Sequence, residues 1–308
     1  MTRIINGREV VRGARRARCA PRDTVVAFAM LAPALVLLGI FVIWPMIQSA
    51  YLSFFDWSFY RDSVFVGFDN FRRVLTDESF VASVGRGLLF ALMVVPTQLV
   101  LAFAFASLVA GVSRRLASVL KVSVFIPTAI STVIASIIFI LIYQYHGGLA
   151  NWVIGLFGVE AQAWLADVAL ALPAMAVPAV WLGLGVAALI MLAGLLDIPA
   201  SYYEAAELDG ANWWQRTFSI TLPLMRNTFL YLMIAGFVAN VQQFELPLVL
   251  TNGGPLESTM LPNLLIFTHF RDDITAGYSI AAAFLLFIVL GTISALIFRF
   301  LNSAQAED

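Results

Sequence analysis

The chain has 308 residues, of which 61% are hydrophobic and 12% charged, with a formal net charge of −1. That balance excludes an ordinary soluble domain, in which about a quarter of the residues are charged. The single cysteine, Cys19, excludes an internal disulfide and a cysteine metal cluster.

Residues 1–23 hold Arg3, Arg8, Arg12, Arg15, Arg16, Arg18 and Arg22 and read as a basic tail. The charge-free run 24–55 is much longer than the about 7–15 residues of a signal-peptide core, and no small-x-small cleavage site follows. It therefore reads as an uncleaved first span. Charge-free stretches at 87–113, 122–159, 168–196 and 274–298 each exceed the about 20 residues needed to cross hydrocarbon. The stretch 227–250 is also long enough but contains Glu245. These runs predict an all-α integral membrane fold with six transmembrane helices, near 25–48, 88–110, 120–143, 169–195, 228–250 and 278–300. Together they make a membrane domain over 24–301, with a short tail at 302–308.

Between the spans lie three outer loops. The first, 51–86, carries interfacial aromatics at Phe54, Phe55, Trp57, Phe59 and Tyr60. It also predicts a short helix capped by Asp69 or Asn70, with Phe68, Phe71 and Leu75 turned to bilayer or core. The second, 144–167, begins at Gln144 and His146-Gly147-Gly148. The third, 251–277, opens on the turn signal Thr251-Asn252-Gly253-Gly254-Pro255. Within the second span, Pro96-Thr97-Gln98 is expected to break the helix locally. Basic residues set the orientation. Those before the first span join Arg114, Arg115, Lys121, Arg216, Arg226 and Arg299 on one side, against Arg61, Arg72, Arg73, Arg86 and Arg271 on the other. By the positive-inside rule both termini and the loop 197–226 are cytoplasmic.

That cytoplasmic loop has its own grammar. Pro199 suits a first helical position, no breaker occurs over 200–209, and Gly210 suits a left-handed stop. Asn212 followed three residues later by Gln215 reads as a capping box, so a second helix is expected over 213–220. The prediction is a helix-turn-helix across the cytoplasmic face. Tyr202, Tyr203, Trp213, Trp214 and Phe218 supply contact area of the kind that interfaces favour.

Glu204, Ala205, Ala206, Gly210, Ile220, Leu222 and Pro223 stand at the spacing E-A-A, three residues, G, nine residues, I-x-L-P. This pattern resembles the EAA coupling loop of bacterial ABC importer permeases. Four further stretches resemble the carbohydrate-uptake type: Leu31-Ala32-Pro33 with Trp44-Pro45, Val66-Gly67-Phe68-Asp69-Asn70-Phe71, Trp181 with Gly185, and Leu250-Thr251-Asn252-Gly253-Gly254-Pro255. The likeness covers roughly 25–305. One departure is Phe244-Glu245, where family members often carry F-D. The resemblance implies a second, homologous permease subunit, two cytoplasmic ATPase subunits that bind ATP and Mg, and an extracytoplasmic solute-binding protein. Lipid would surround the chain, no nucleic acid is involved, and the chain itself would hold no cofactor and catalyse nothing. Glu204, with Ala205, Ala206, Asp209, Gly210, Ile220, Leu222 and Pro223, would engage the ATPase, and the spans would alternate between inward- and outward-facing states in a bacterial inner membrane.

Polar groups inside spans are candidates for the solute path. In the fifth span Asn240, Gln243 and Phe244 share a helical face; Glu245 is either a pathway acid or a charge at the outer helix end. In the third span Thr128, Ser131, Thr132 and Ser136 either line the path or bond between helices. No span has a central Lys or Arg, which favours a neutral sugar over an anionic polyol or sulfonated sugar. No G-x-x-x-x-G-K-[S/T] loop occurs, so the chain does not hydrolyse ATP alone. No H-E-x-x-H or C-x-x-C occurs, and His146 and His269 read as solvated loop residues. An ion-coupled carrier is the rival from another class; it would show paired broken helices and inverted repeats.

Overall fold

The computed structural model describes residues 21–58, 62–272 and 276–303. Most of the basic tail, Cys19, Phe59, Tyr60, Arg61 and the last five residues lie outside them. The chain divides into two units, Met1–Tyr51 and Leu52–Asp308. The first unit is a helical run: α1 (Pro21–Leu38), a π turn (Gly39–Ile43) and most of α2 (Trp44–Leu52).

The second unit opens with a two-stranded antiparallel ribbon, β1 (Phe55–Asp56) and β2 (Val64–Phe65). Next come α3 (Asp69–Thr76) and α4 (Glu78–Gly111). α3 is the short helix expected in the outer loop, but its cap is Phe68. Asn70 is buried and does different work, donating to the carbonyls of Ser53 at 3.0 Å and Phe55 at 2.9 Å. α4 starts ten residues before the predicted span, because Asp77 caps it by accepting from the Ser79 N–H at 2.9 Å. Pro96 does not break α4, contrary to expectation. A proline inside a membrane helix is tolerated where neighbouring helices hold the backbone, and α4 is packed along its length by α8 (Ala171–Leu196) and α12 (Arg226–Val241).

α4 and α8 form the spine. Ala91, Ala102, Ala106, Ala187 and Ala188 are buried. Small residues matter here because lipid offers no hydrophobic drive to association, and close approach supplies dispersion instead. Larger side chains fill in on either side. Phe90, Val94, Met175 and Leu246 pack in one cluster, and Leu99, Met191, Met225 and Leu232 in another.

The third predicted span is not one helix. α5 (Arg114–Phe125) passes into a 3-10 turn (Ile126–Ala129), and α6 (Thr132–Ile142) then leaves at a bend of 96°. Pro127 has no N–H for the Ser123 carbonyl, and Ile130 and Ser131 turn extended. After α7 (Leu149–Gly155), in the loop 144–167, α8 follows. The loop beyond α8 holds α9 (Ala200–Leu208), α10 (Trp213–Arg216), a π turn (Thr217–Thr221) and α11 (Leu222–Leu224). α12 stops at Val241, and the chain resumes as α13 (Glu245–Leu250). The predicted fifth span is therefore broken at Gln242–Phe244. Pro247 explains the position of the break. In a continuous helix its missing N–H would orphan the Gln243 carbonyl, whereas in the first turn of α13 no such bond is required.

The chain after α13 turns at Asn252 and Gly253, both with positive φ (49° and 82°), as the sequence signal implied. It then forms α14 (Pro262–Asp272), which the sequence reading missed, and α15 (Gly277–Ser303) closes the bundle. Arg86 on α4 holds this loop, donating to the Met260 carbonyl at 3.2 Å and pairing with Glu257 at 3.5 Å. On α14 the exposed Arg271 hydrogen-bonds Asp272 at 2.7 Å and holds its carboxyl below the ordinary carboxylate range. Among the described residues five helical runs are long and apolar enough to span a membrane, and the bent pair α5–α6 makes a sixth if counted as one span.

Gly185 sits where α8 meets the α5 break: a Cβ there would lie 2.6 Å from the Val124 carbonyl oxygen and 2.6 Å from Thr128 Oγ1. Gly185→Ala is expected to cost about 1–3 kcal/mol by forcing backbone apart. The check is thermal unfolding in detergent; an unchanged midpoint would show that α5 yields freely.

Candidate functional site

The helix breaks and α8 enclose a cavity of about 370 Å³, within the size range of small-molecule sites. Gln98 of α4 lines it, with Thr128 and Ile130 from the first break and Thr132 at the start of α6. Ala179, Leu182 and Gly183 of α8, Gly236, Ala239 and Asn240 of α12, and Gln243 of the second break complete it. None of these residues is charged. The sequence candidates Thr128, Asn240 and Gln243 are thus brought together.

Their hydrogen bonds decide what they can offer. Asn240 Nδ2 donates to the Gly236 carbonyl at 2.8 Å, which leaves its side-chain oxygen to accept. Gln243 Oε1 accepts from the Phe244 N–H at 3.1 Å, which leaves its amide nitrogen to donate. Thr128 Oγ1 reaches the Leu182 carbonyl at 3.4 Å, so it also bonds between helices. Acceptors and donors without charge suit the hydroxyls of a neutral solute.

Three other candidates stand elsewhere. Ser131 is exposed at the start of α6 and does not line the cavity, nor does Phe244, whose ring packs edge-on against Phe267 at 4.9 Å. Glu245 is exposed in the first turn of α13, outside the cavity lining, as a charge at a helix end would be. Ser136 is buried and donates to the Thr132 carbonyl at 2.8 Å within its own helix. Gln98 was missed as a site residue, although a polar side chain in a span is a signal in its own right.

At the opposite end of α12 lies the second candidate site, the 197–226 loop. α9 ends in a Schellman motif: Ala211 N–H bonds the Ala206 carbonyl at 2.9 Å, Gly210 N–H bonds Glu207 at 3.0 Å, and Gly210 has φ +75°. Pro199 is the N-cap rather than the first helical residue. The predicted capping box is present: Gln215 N–H bonds Asn212 Oδ1 at 2.9 Å and Asn212 N–H bonds Gln215 Oε1 at 2.7 Å. The second helix continues beyond 220 through the π turn and α11, so Ile220, Leu222 and Pro223 belong to its far end. Glu207 pairs with Arg216 across the turn, and the Tyr203 hydroxyl bonds Thr221 at 2.9 Å. Glu204, Ala205 and Asp209 are exposed, Ala206 half-buried.

Trp213, Trp214 and Phe218 are exposed. They border a mostly apolar cleft of about 1130 Å³ that Val95, Leu99 and Phe103 of α4 and Phe229 of α12 also line. Trp213 meets Trp214 edge-on at 4.7 Å, and Trp214 stacks on Phe218 at 6.0 Å. Tyr202 is exposed on α9 as well.

Apolar helices long enough to span a membrane, broken beside an uncharged polar cavity, fit a membrane transport subunit. Residues 78–306 match the binding-protein-dependent transport system inner membrane component family, and the chain belongs to that family. It is a multi-pass inner-membrane permease of the ABC importer type. It is 30% identical over 283 residues to the sulfoquinovosyl glycerol transport system permease protein SmoG of Agrobacterium fabrum, covering 91% of this chain and 92% of that one. It is 32% identical over 251 residues to the trehalose/maltose transport system permease protein MalF of Thermococcus litoralis, covering 81% and 85%. In fold it matches a chain of a bacterial alginate ABC transporter in complex with an alginate pentasaccharide-bound periplasmic protein. The TM-score is 0.74 at 23% identity, with 92% of this chain and 94% of that chain covered.

The capping box is open to direct test. Asn212→Ala is expected to destabilise the start of α10 by about 1 kcal/mol. Hydrogen exchange should then lose about fivefold protection at the Gln215 amide. Unaltered protection would mean that the cleft-facing tryptophans, not the cap, hold the helix.

Proposed function

We propose that this chain is one of two permease subunits in an ATP-driven importer of a neutral sugar, and that its 197–226 loop is where the ATPase takes hold. The carrying observation is the loop's construction. Two short helices turn at Gly210, are tied by Glu207–Arg216 and Tyr203–Thr221, and leave Glu204 exposed. Such a unit moves as one piece. Glu204 docks on the ATPase, Ala205 and Ala206 let that surface approach, and Asp209 and Gly210 make the turn. Ile220, Leu222 and Pro223 lie on the stretch that runs into α12, so displacement of the loop reaches the helix that carries Asn240. Both termini and this loop lie on the cytoplasmic side, and six spans cross the membrane, with α5–α6 counted as one.

ATP and Mg belong to the two partner ATPases; this chain catalyses nothing. Closure of the ATPase pair shifts the spans between inward- and outward-facing states, because nucleotide binds the closed pair more tightly. A binding protein delivers the solute from outside. The neutral-sugar reading is supported by the uncharged lining of the 370 Å³ cavity and by the trehalose/maltose relative. A sulfonated cargo, as in the name of the Agrobacterium relative, would have to find its counter-charge outside that lining.

Co-purification and uptake test the two halves separately. Glu204→Ala and Gly210→Pro are expected to lose ATPase association while the permease pair still assembles. Asn240→Ala and Gln243→Ala should keep association but lower uptake at limiting solute by about fivefold each, the value of one ~1 kcal/mol hydrogen bond. Normal association of both loop variants would remove the coupling role; normal uptake by both cavity variants would remove the solute path.

A further inference from the structure

The polar cavity does not end blindly. A second cavity of about 200 Å³ adjoins it, lined by Val186, Ala187 and Ile190 of α8 and Tyr231, Leu232 and Ala235 of α12. Gln98, Gly183, Gly236 and Ala239 line both cavities. Chain direction orders them. α8 touches the first cavity at Ala179 and Leu182 and the second at Val186 and Ile190, then runs on into the coupling loop. α12 leaves that loop at Arg226 and meets the second cavity at Tyr231 before the first at Asn240. The smaller cavity therefore lies on the coupling-loop side, and Gln98 stands between the two.

Gln98 fits its place through an absence. A Cβ on Gly183 would overlap Gln98 Nε2 and come within 3.2 Å of Cδ, so the amide occupies the notch that glycine leaves in α8. The side chain is half-buried, and its amide has no hydrogen-bond partner among the described residues. Asn240 and Gln243 each commit one end of their amide to the backbone. Gln98 alone of the three amides has neither end committed, so it can turn freely to give both a donor and an acceptor, the complement of a hydroxyl group.

We propose that Gln98, seated against Gly183, is the selectivity residue of the solute path, reading the hydroxyls of a neutral sugar as it passes from the polar cavity to the one beneath. This rests on the importer reading above. The long side chain can swing out of the notch as a solute hydroxyl replaces it, whereas an ionised solute gains no counter-charge there and bears a desolvation cost. A residue without the amide leaves the passage open and unselective.

Thiol accessibility tests this without knowing the cargo. In the full-length chain with Cys19→Ser, reconstituted in vesicles, Thr132→Cys reports the polar cavity and Ala235→Cys the lower one. The probes are a neutral glucosyl methanethiosulfonate and the anionic sulfonatoethyl methanethiosulfonate, both membrane-impermeant and added from the outer face, with each rate taken relative to that at Thr132→Cys. Thr132→Cys should label readily with both. At Ala235→Cys the neutral probe should react about tenfold faster than the anionic one with Gln98 present, and Gln98→Ala should bring the two rates together. Gly183→Ala, which displaces the amide from its notch, should slow labelling by both probes, and Gln98→Ala combined with Gly183→Ala should relieve it. The same ratio of the two rates with and without Gln98, while Thr132→Cys still labels, would overturn the selector and leave the importer reading standing. Failure to label even Thr132→Cys would overturn the cavity as a path, and the selector with it.

Discussion

Inside hydrocarbon a backbone N–H or carbonyl without a partner costs several kcal/mol, so a membrane chain leaves the helix only where something else satisfies it. The polar cavity follows from two such departures. Pro127 and Pro247 each remove an N–H, the helix parts at Ile130–Ser131 and at Gln242–Phe244, and hydroxyls and amides cluster at the gaps. At the second gap Gln243 accepts from Phe244 and Asn263 donates to the Gln242 carbonyl at 2.7 Å. Gln243, whose side chain accepts a backbone N–H at the second break, also lines the polar cavity.

Proline alone does not predict this. Pro96 and Pro178 sit inside α4 and α8, and neither helix parts. Those two helices pack on each other through buried alanines, so the local loss of one hydrogen bond is small against the contact it would disrupt. Pro127 and Pro247 are followed by short segments with less to lose. The sequence therefore showed the apolar runs, since length and lack of charge are read directly, but misjudged which of them bend. It placed a break at Pro96 and a continuous helix at 120–143, and both were reversed by packing partners that a single chain's periodicity does not reveal.

The 197–226 loop was legible in far more detail because its signals are local. Gly210 turns left-handed where only glycine does so without strain, and Asn212 with Gln215 bond each other three residues apart. What the residues of that loop face was not local. Trp213, Trp214 and Phe218 are exposed, as contact surface would be, and the cleft they border is shared with α4 and α12, whose residues lie far off in sequence. Likewise Thr128, Asn240 and Gln243 meet in one cavity while Ser131, Phe244 and Glu245 do not, a division set by the breaks themselves.

The mechanical consequence is that one helix joins both sites. α12 begins at the 197–226 loop and ends at the gap beside Asn240, so in the proposed importer a push on the loop would travel along 16 residues of helix to the cavity wall. Both ends are anchored: Val241 is fully buried against Ala91, Leu286 and Leu290, and Asn263 donates to the Gln242 carbonyl, while Met225, which parts α11 from α12, is buried and Tyr203 bonds Thr221 in the π turn before it. A helix held at both ends would carry a displacement as a whole, which suits the proposed subunit, whose energy arrives at the loop.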